Sequence, residues 1–315
     1  MPENDTSENI ELLIPADELA RRYKLILSDV EGVHTKDRIG IKTMMEKFGT
    51  EGVEIGIGFK RAYGTVMSGD SFQLFILHDN IFLFVFADVS GHGLEAYTTY
   101  IKLRSAIILA VRKENERKEK NPDTDIDYCL VINDIIDIFT NIMEDSISRD
   151  FSSVIFAFVR RQGETFNFSF FNRGMYYPFL AIENDDGSIA CFDLNESFEG
   201  WHPSKNSPLG SDFRKILESK YYTCNESTIS LTGGGRFCFF TDGITEAVNT
   251  DEPPQEFGMQ RLEKVITDTF NYFPQAAINI LYDEVYEFMQ DPSRQMDDMT
   301  AIIIDVPRKM KPVDE

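Results

Sequence analysis

The chain has 315 residues, 42% of them hydrophobic and 26 of them Phe, enough apolar side chain to build a large core in one domain or two modest ones, which excludes disorder as the default state. A formal charge of −22 and a pI near 4.6 repel phosphate backbones and anionic lipid heads, so neither nucleic acid nor a membrane surface is expected as a partner. The N-terminus, MPENDTSENIELLIPADELA, has no basic stretch leading into an apolar run and does not read as a signal peptide. No apolar stretch is long enough to span a bilayer, and a cytoplasmic location is expected. Cys129, Cys191, Cys224 and Cys238 are scattered, with no C-x-x-C pair. They are expected to be buried free thiols in a reducing compartment.

In chain order, residues 1 to about 12 read as a loose tail. Residues 16–27 and 42–48 have helical composition, with Gly49 as a stop. Residues 1–50 are therefore expected to be a tail and helical appendage, 51–307 the main domain, and 308–315 a C-terminal tail. From Val53 the runs EIGIGF, QLFILHD, NIFLFVFADV, SVIFAFVR, TFNFSFF and YPFLAI are aromatic and β-branched, several of them alternating as half-buried strands do. Turn residues such as Asn184-Asp185-Asp186-Gly187 separate them. GRFCFF and MTAIIIDV are two later strand candidates. A helix is predicted over about 92–112, with Leu94, Tyr97, Ile101, Ile108 and Val111 along one side and a charged, solvated tail that breaks at Pro122. In a second, Tyr128, Val131, Ile132, Ile135, Phe139, Ile142 and Met143 recur at i, i+3, i+4 and make a core-facing stripe. Two more helices are predicted over about 259–270 and 274–289. Strands, two helices, more strands, two helices and a last strand give an α+β layered domain rather than βαβ alternation.

The chemistry falls on acidic residues at strand ends. Asp70 sits in MSGDSFQ, Asp88 closes IFLFVFA, Asp242 closes RFCFFT and precedes Gly243, and Asp297 and Asp298 precede MTAIIID. A carboxylate at the end of a buried strand is held rigidly and faces a loop-lined space. Several together make an oxygen-rich site suited to Mg²⁺ or Mn²⁺, and would repel one another without a cation. Any one of them alone also reads as a turn former or helix cap. In VSGHGLEAY, Gly91 and Gly93 leave the backbone by Asp88 unhindered, Ser90 is placed to cap the following helix, and His92 reads either as a general acid or, preferably, as a brace for the turn. A P-loop, a dinucleotide fingerprint, a G-x-S-x-G elbow and a zinc cluster are all missing from the sequence.

Taken in order, G-D-S-F-Q, A-D-V-S-G-H-G-L-E-A, F-F-T-D-G-I-T-E-A, F-G-M-Q-R-L and D-D-M-T-A-I-I-I resemble the PPM family of metal-dependent serine/threonine protein phosphatases, in its SpoIIE-like branch of bacterial sporulation and stress-response enzymes. The resemblance covers most of the chain, from about residue 51 to 306. It implies a four-layer sandwich of two antiparallel β-sheets flanked by helix pairs. It implies hydrolysis of phosphoserine or phosphothreonine with two Mn²⁺ or Mg²⁺ ions and an activated water as nucleophile, with no phosphoenzyme. Carried over by position, Asp88 bridges both metals, the Val89 carbonyl binds one, Asp70 serves one side, and Asp242 and Asp297 the other; Asp298 takes the last place if the register slips by one. The implied partner is a phosphorylated regulatory protein in a partner-switching pathway, typically an anti-sigma-factor antagonist. Two departures stand out. Gln73 replaces the second Asp of the family's first motif, losing a charge near a metal site or its supporting groups, and Asn172-Arg173-Gly174-Met175 replaces N-A-G-H, which reads as a change on the substrate side. Two other readings stay open: a degenerate phosphatase that binds a phosphoprotein as a regulatory module, and another two-metal hydrolase acting on a small molecule.

Overall fold

The computed structural model describes residues 52–65, 68–78, 81–91, 94–144, 151–204, 206–210 and 224–307. The expected N-terminal helices, the C-terminal tail, His92 and Gly93 lie outside the described residues.

Strand-forming sequence pairs as its alternation predicts. β1 (Glu54–Lys60), β2 (Ser71–Ile76) and β3 (Ile81–Val89) lead into α1 (Leu94–Lys120) and α2 (Tyr128–Glu144). β4 (Phe151–Gln162), β5 (Thr165–Arg173), β6 (Phe179–Glu183), β7 (Ile189–Asp193), β8 (Leu209–Gly210), β9 (Ser227–Leu231) and β10 (Gly235–Phe240) follow. The short α3 (Asp242–Thr245), then α4 (Gly258–Asp268), α5 (Pro274–Met289), one 3₁₀ turn and β11 (Met299–Val306) complete the order. One sheet runs β1-β11-β10-β6-β7; the other runs β2-β3-β4-β5-β9, with β8 paired to β4. Every named strand pair is antiparallel.

Alternation sends every second side chain to the space between the sheets. Phe82, Phe84 and Phe86 of β3 meet Phe237 and Phe239 of β10 and Ile302 and Ile304 of β11 there. The opposite face of β3, with Leu83, Val85 and Ala87, packs under α1 and α2. The opposite face of the other sheet, with Cys238, Phe240, Ala301 and Ile303, packs under α4 and α5. The result is the expected four-layer sandwich.

Three expectations are corrected. The apolar stripe expected for α1 lies partly on its open side: Leu94, Ile101 and Ile108 are exposed, Val111 is buried as expected, and the rest of the buried face includes Ala96, Thr99, Tyr100, Leu103, Ala106, Ile107 and Ala110. Small residues let α1 lie close to the sheet, so burial follows size and not only hydrophobicity. The charged tail is also helical, to Lys120, because Arg117 and Lys113 pair with the buried Asp134 of α2. Cys129 and Cys224 are not free thiols but a disulfide joining the start of α2 to the segment before β9. They are 95 positions apart, and spacing alone carries no sign of the pairing. Cys191 and Cys238 are free, and burial pushes both thiols up to about 12. Among the described residues no helix is long and apolar enough to cross a membrane.

Candidate metal centre

The two sheets contribute different carboxylates to one end of the sandwich. β3 runs inward as a continuous buried strand and delivers Asp88 and Val89 at its end, opposite Ser153 and Ser152 of β4. From the other sheet, β10 ends at Phe240, Thr241 follows, and Asp242 starts the single turn of α3. Asp297 and Asp298 lie just ahead of β11. Two glycines allow the loops to close on one another. A Cβ on Gly69 would fall 2.6 Å from the Val89 carbonyl oxygen, and one on Gly243 would fall 2.1 Å from the Asp298 carbonyl oxygen. Neither position has room for a side chain.

Asp88, Asp242 and Asp297 come together. Burial first, then the negative charges of Asp242, Asp297 and Asp298 and a hydrogen bond with Asp242, push the Asp88 carboxyl up to about 8. Glu246 is raised by burial and by Asp242, Glu256 and Asp297. Asp297 is exposed, and its Oδ1 accepts the Asp298 main-chain N–H at 2.8 Å. The adjacent Asp298 does different work. It is 2% exposed. Its Oδ1 accepts from Ala62 N–H at 2.8 Å, and its Oδ2 accepts from Ser68 Oγ at 2.6 Å and Gly69 N–H at 3.0 Å. Those bonds occupy both oxygens and tie the loop ahead of Asp70 to the start of β11.

Asp70 stands a layer further in. Its Oδ2 accepts from Thr241 Oγ1 at 2.9 Å and Thr300 Oγ1 at 2.6 Å. Burial and the Asp88 charge raise its pKa, against the lowering effect of the two threonine hydroxyls. Thr241 Oγ1 in turn accepts from Thr300 N–H at 2.9 Å. Sequence reasoning read the acids of S-G-D, T-D-G and D-D-M-T and passed over Ser68, Thr241 and Thr300, which orient them. A small hydroxyl within two positions of Asp70, Asp242 and Asp298 was the available signal.

Ser90 Oγ accepts from Phe151 N–H at 3.1 Å, stitching the end of β3 to the start of β4; the N–H groups of 92 and 93 that it would cap lie outside the described residues. Gln73 pairs with Val85, so it shares the α1-side face of the sheet and lies on the opposite face from Asp88, three positions along β3. Its amide is buried and neither Oε1 nor Nε2 has a hydrogen-bond partner.

The described residues hold no ready-made group of three His, Cys, Asp or Glu side chains in ion-holding arrangement. Asp88 and Asp242 lie within hydrogen-bonding reach of one another, and the Asp70 Oδ2 faces the two threonine hydroxyls. The donor set itself fits hard divalent cations: clustered carboxylates, with no nitrogen or sulfur donor among them.

The model of the SpoIIE family, stage II sporulation protein E, matches residues 78–307. The chain belongs to the SpoIIE family. No curated protein matches it in sequence. Among solved structures, the SiaA-PP2C domain of Pseudomonas aeruginosa is similar with a TM-score of 0.58 at 14% identity, over 91% of this chain and 95% of that one. The PP2C phosphatase domain of Bacillus subtilis SpoIIE, with a fragment of its regulatory domain, is similar with a TM-score of 0.55 at 15% identity, over 82% of this chain and 64% of that one. The RsbU and RsbW domains of Rv1364c from Mycobacterium tuberculosis are similar with a TM-score of 0.51 at 16% identity, over 83% and 62%. The chain thus spans under two thirds of the length of the last two. At such identities the likeness is one of fold: this SpoIIE-family chain has the PP2C phosphatase architecture that its motifs imply.

Proposed function

We propose that the chain is a metal-dependent phosphatase that hydrolyses phosphoserine or phosphothreonine on a regulatory protein, in a partner-switching pathway in which the substrate is a phosphorylated anti-sigma-factor antagonist. The observation that carries this reading is the gathering of Asp88, Asp242 and Asp297 at the meeting of two sheets, where the strongest charges acting on Asp88 are all negative. Such a cluster is costly without cations and is suited to hold them. Asp70, Asp88, the Val89 carbonyl, Asp242 and Asp297 would hold two Mn²⁺ or Mg²⁺ ions, Asp70 on one side and Asp242 and Asp297 on the other. Such ions supply Lewis acidity, making water a nucleophile near neutral pH and offsetting phosphoryl charge.

The chain's own groups have separable tasks. Asp298 fixes the loop carrying Asp70 through its bonds to Ala62, Ser68 and Gly69. Thr241 and Thr300 hold the Asp70 carboxylate at one oxygen, Oδ2, so the buried carboxylate keeps one orientation behind Asp88. The reading of the chain as a degenerate, purely binding phosphatase rested on Gln73. Because that residue lies on the far face of the sheet from Asp88, the catalytic reading is preferred.

The test is hydrolysis of p-nitrophenyl phosphate and of a phosphorylated antagonist with Mn²⁺ or Mg²⁺, with EDTA and Asp88→Asn as controls. Metal-dependent turnover that Asp88→Asn abolishes supports the proposal. Full activity after exhaustive chelation, or none with either metal and either substrate, overturns it.

A further inference from the structure

One exposed aromatic ring stands beside the candidate metal centre. Asn172-Arg173-Gly174-Met175 reads in the sequence as a substrate-side change, yet Met175 is buried between the sheets together with Tyr177. Tyr176, between them, turns the other way and is 45% exposed. Its ring stacks on Phe240, with centroids 5.8 Å apart and planes 19° from parallel. Phe240 ends β10, two positions before Asp242.

The turn that carries the ring is fixed on both sides. Gly174 takes a φ of +80°, and a Cβ there would fall 2.5 Å from Pro208 Cγ. Asn172 clasps the turn: its Oδ1 accepts from Met175 N–H at 2.9 Å, and its Nδ2 donates to the Met175 carbonyl at 2.7 Å. Tyr177 N–H donates to Asn195 Oδ1 at 2.8 Å, and the Tyr177 hydroxyl donates to the Ser204 carbonyl at 3.0 Å. An exposed aromatic side chain on so rigid a turn offers a contact surface with little ordering left to do on binding.

The field around that surface has one sign. After burial, the four strongest charges acting on the Tyr176 phenol are those of Asp242, Glu246, Glu256 and Asp193, and all four raise its pKa. Arg261 touches the same segment, but its Nη1 donates to the Glu256 and Phe257 main-chain carbonyls at 3.0 and 2.8 Å. Its guanidinium lies over the Phe288 ring, 4.6 Å from the centroid. Cations bound at Asp242 would offset that charge, which leaves Glu246 and Glu256, both exposed. The face of an aromatic ring attracts a cation, and carboxylates at its edge add to the attraction.

We propose that Tyr176 is a specificity-determining residue whose ring, flanked by Glu246 and Glu256, receives a lysine or arginine side chain next to the phosphoserine of the substrate protein. The inference rests on the phosphatase reading and adds a substrate preference to it.

The experiment compares two phosphoserine peptides that differ only at the flanking positions, Lys and Arg in one, Gln in the other, at two salt concentrations. Wild type is expected to favour the basic peptide in kcat/KM by roughly five-fold, the scale of one partly exposed cation–π contact. The preference should appear in KM and shrink at high salt. In Tyr176→Leu, which keeps an apolar contact on Phe240, the ratio should fall below about two, and Tyr176→Phe should keep most of it. A ring that merely packs would lower turnover of both peptides alike and leave the ratio unchanged. Glu256→Gln, at an exposed position, should lower the ratio part-way and serves if Tyr176→Leu does not fold. Equal kcat/KM for the two peptides in wild type, or a ratio kept in Tyr176→Leu or, failing that variant, in Glu256→Gln, overturns the proposal. Mn²⁺ is the control for the other source of positive charge: if these variants raise the Mn²⁺ concentration for half-maximal activity while the peptide ratio stays the same, the residues serve a metal and the proposal fails. If neither peptide is hydrolysed, the phosphatase reading fails. Fluorescence anisotropy of the same labelled peptides then tests Tyr176 by the same ratio, taken on dissociation constants.

Discussion

Asp297 and Asp298 are chemically identical neighbours, and replacing each by Asn should have opposite consequences. Asp298 is 2% exposed, and its two oxygens receive Ala62 N–H on one side and Ser68 Oγ and Gly69 N–H on the other. An amide has only one acceptor oxygen. Whichever way it is flipped, its NH₂ faces a main-chain N–H, that of Ala62 or that of Gly69. Leaving a buried donor unmet costs about 1–3 kcal/mol, and hydrogen bonds to a charged acceptor are worth about 1.5–3 kcal/mol, so a loss of about 3 kcal/mol is expected for Asp298→Asn. For a domain of this size that lowers Tm by roughly 6–12 °C. Asp297 is exposed, and its Oδ1 contact to the Asp298 N–H survives as an amide oxygen. Asp297→Asn also removes one of the charges raising Asp88, so the metal-free Tm should hold or rise slightly. Thermal unfolding in EDTA at pH 7.5, followed by Mn²⁺ titration, separates the two. Asp298→Asn should melt early yet still gain stability from Mn²⁺, and Asp297→Asn should melt normally and gain little. Equal melting losses in both variants, or a wild-type Tm for Asp298→Asn, would refute the division of labour between positioning and ligation.

In the metal-free protein the Asp88 carboxyl titrates near 8 against 3.8 for the unperturbed group. Its raised pKa means the stability it permits is complete below about pH 4 and lost as pH rises through 8. Melting in EDTA should therefore fall between pH 5 and 8.5, less steeply in Asp88→Asn; a flat wild-type profile would count against the buried cluster. Gln73 has a buried amide with neither atom bonded, so Gln73→Leu should be neutral or stabilising by about 1 kcal/mol and should leave the Mn²⁺ requirement unchanged, as read by paired melting and metal titration. Reducing the Cys129–Cys224 link, which closes 95 positions of chain, should lower Tm by an amount corresponding to about 2–4 kcal/mol. Cys224→Ala should melt like the reduced protein, and a wild-type Tm that ignores reductant would argue against the bond.

Much of the fold was legible because its strands are long and strongly patterned. β3, β4, β10 and β11 each announce themselves by aromatic or branched runs, and α2 by its unbroken i, i+3, i+4 stripe. β7, Ile189–Asp193, and β9, Ser227–Leu231, were not anticipated: both are short, half-buried edge strands, β7 (IACFD) without alternation and β9 (STISL) rich in hydroxyl residues. The face of α1 was misjudged because its contact surface mixes Ala and Thr with Leu103 and Ile107, while Leu94, Ile101 and Ile108 point outward. The acids of the site were legible from their strand-end positions. What they do was not. That Asp298 is consumed by hydrogen bonds and Gln73 faces the helices depends on register between distant strands, and register is a tertiary fact.

The same long-range bonds have a consequence for the timing of assembly. β11 lies between β1 and β10 in its sheet, so the first strand has no place in that sheet until residues 299–306 have been made. Asp298 reaches back 236 positions to Ala62, and Thr300 reaches back 230 to Asp70. Closing loops of that length is among the late steps of folding. On the ribosome, a nascent chain that has already made Asp70, Asp88 and Asp242 still lacks the piece that orients them. On the proposed phosphatase reading, hydrolytic competence arrives abruptly, with the final strand.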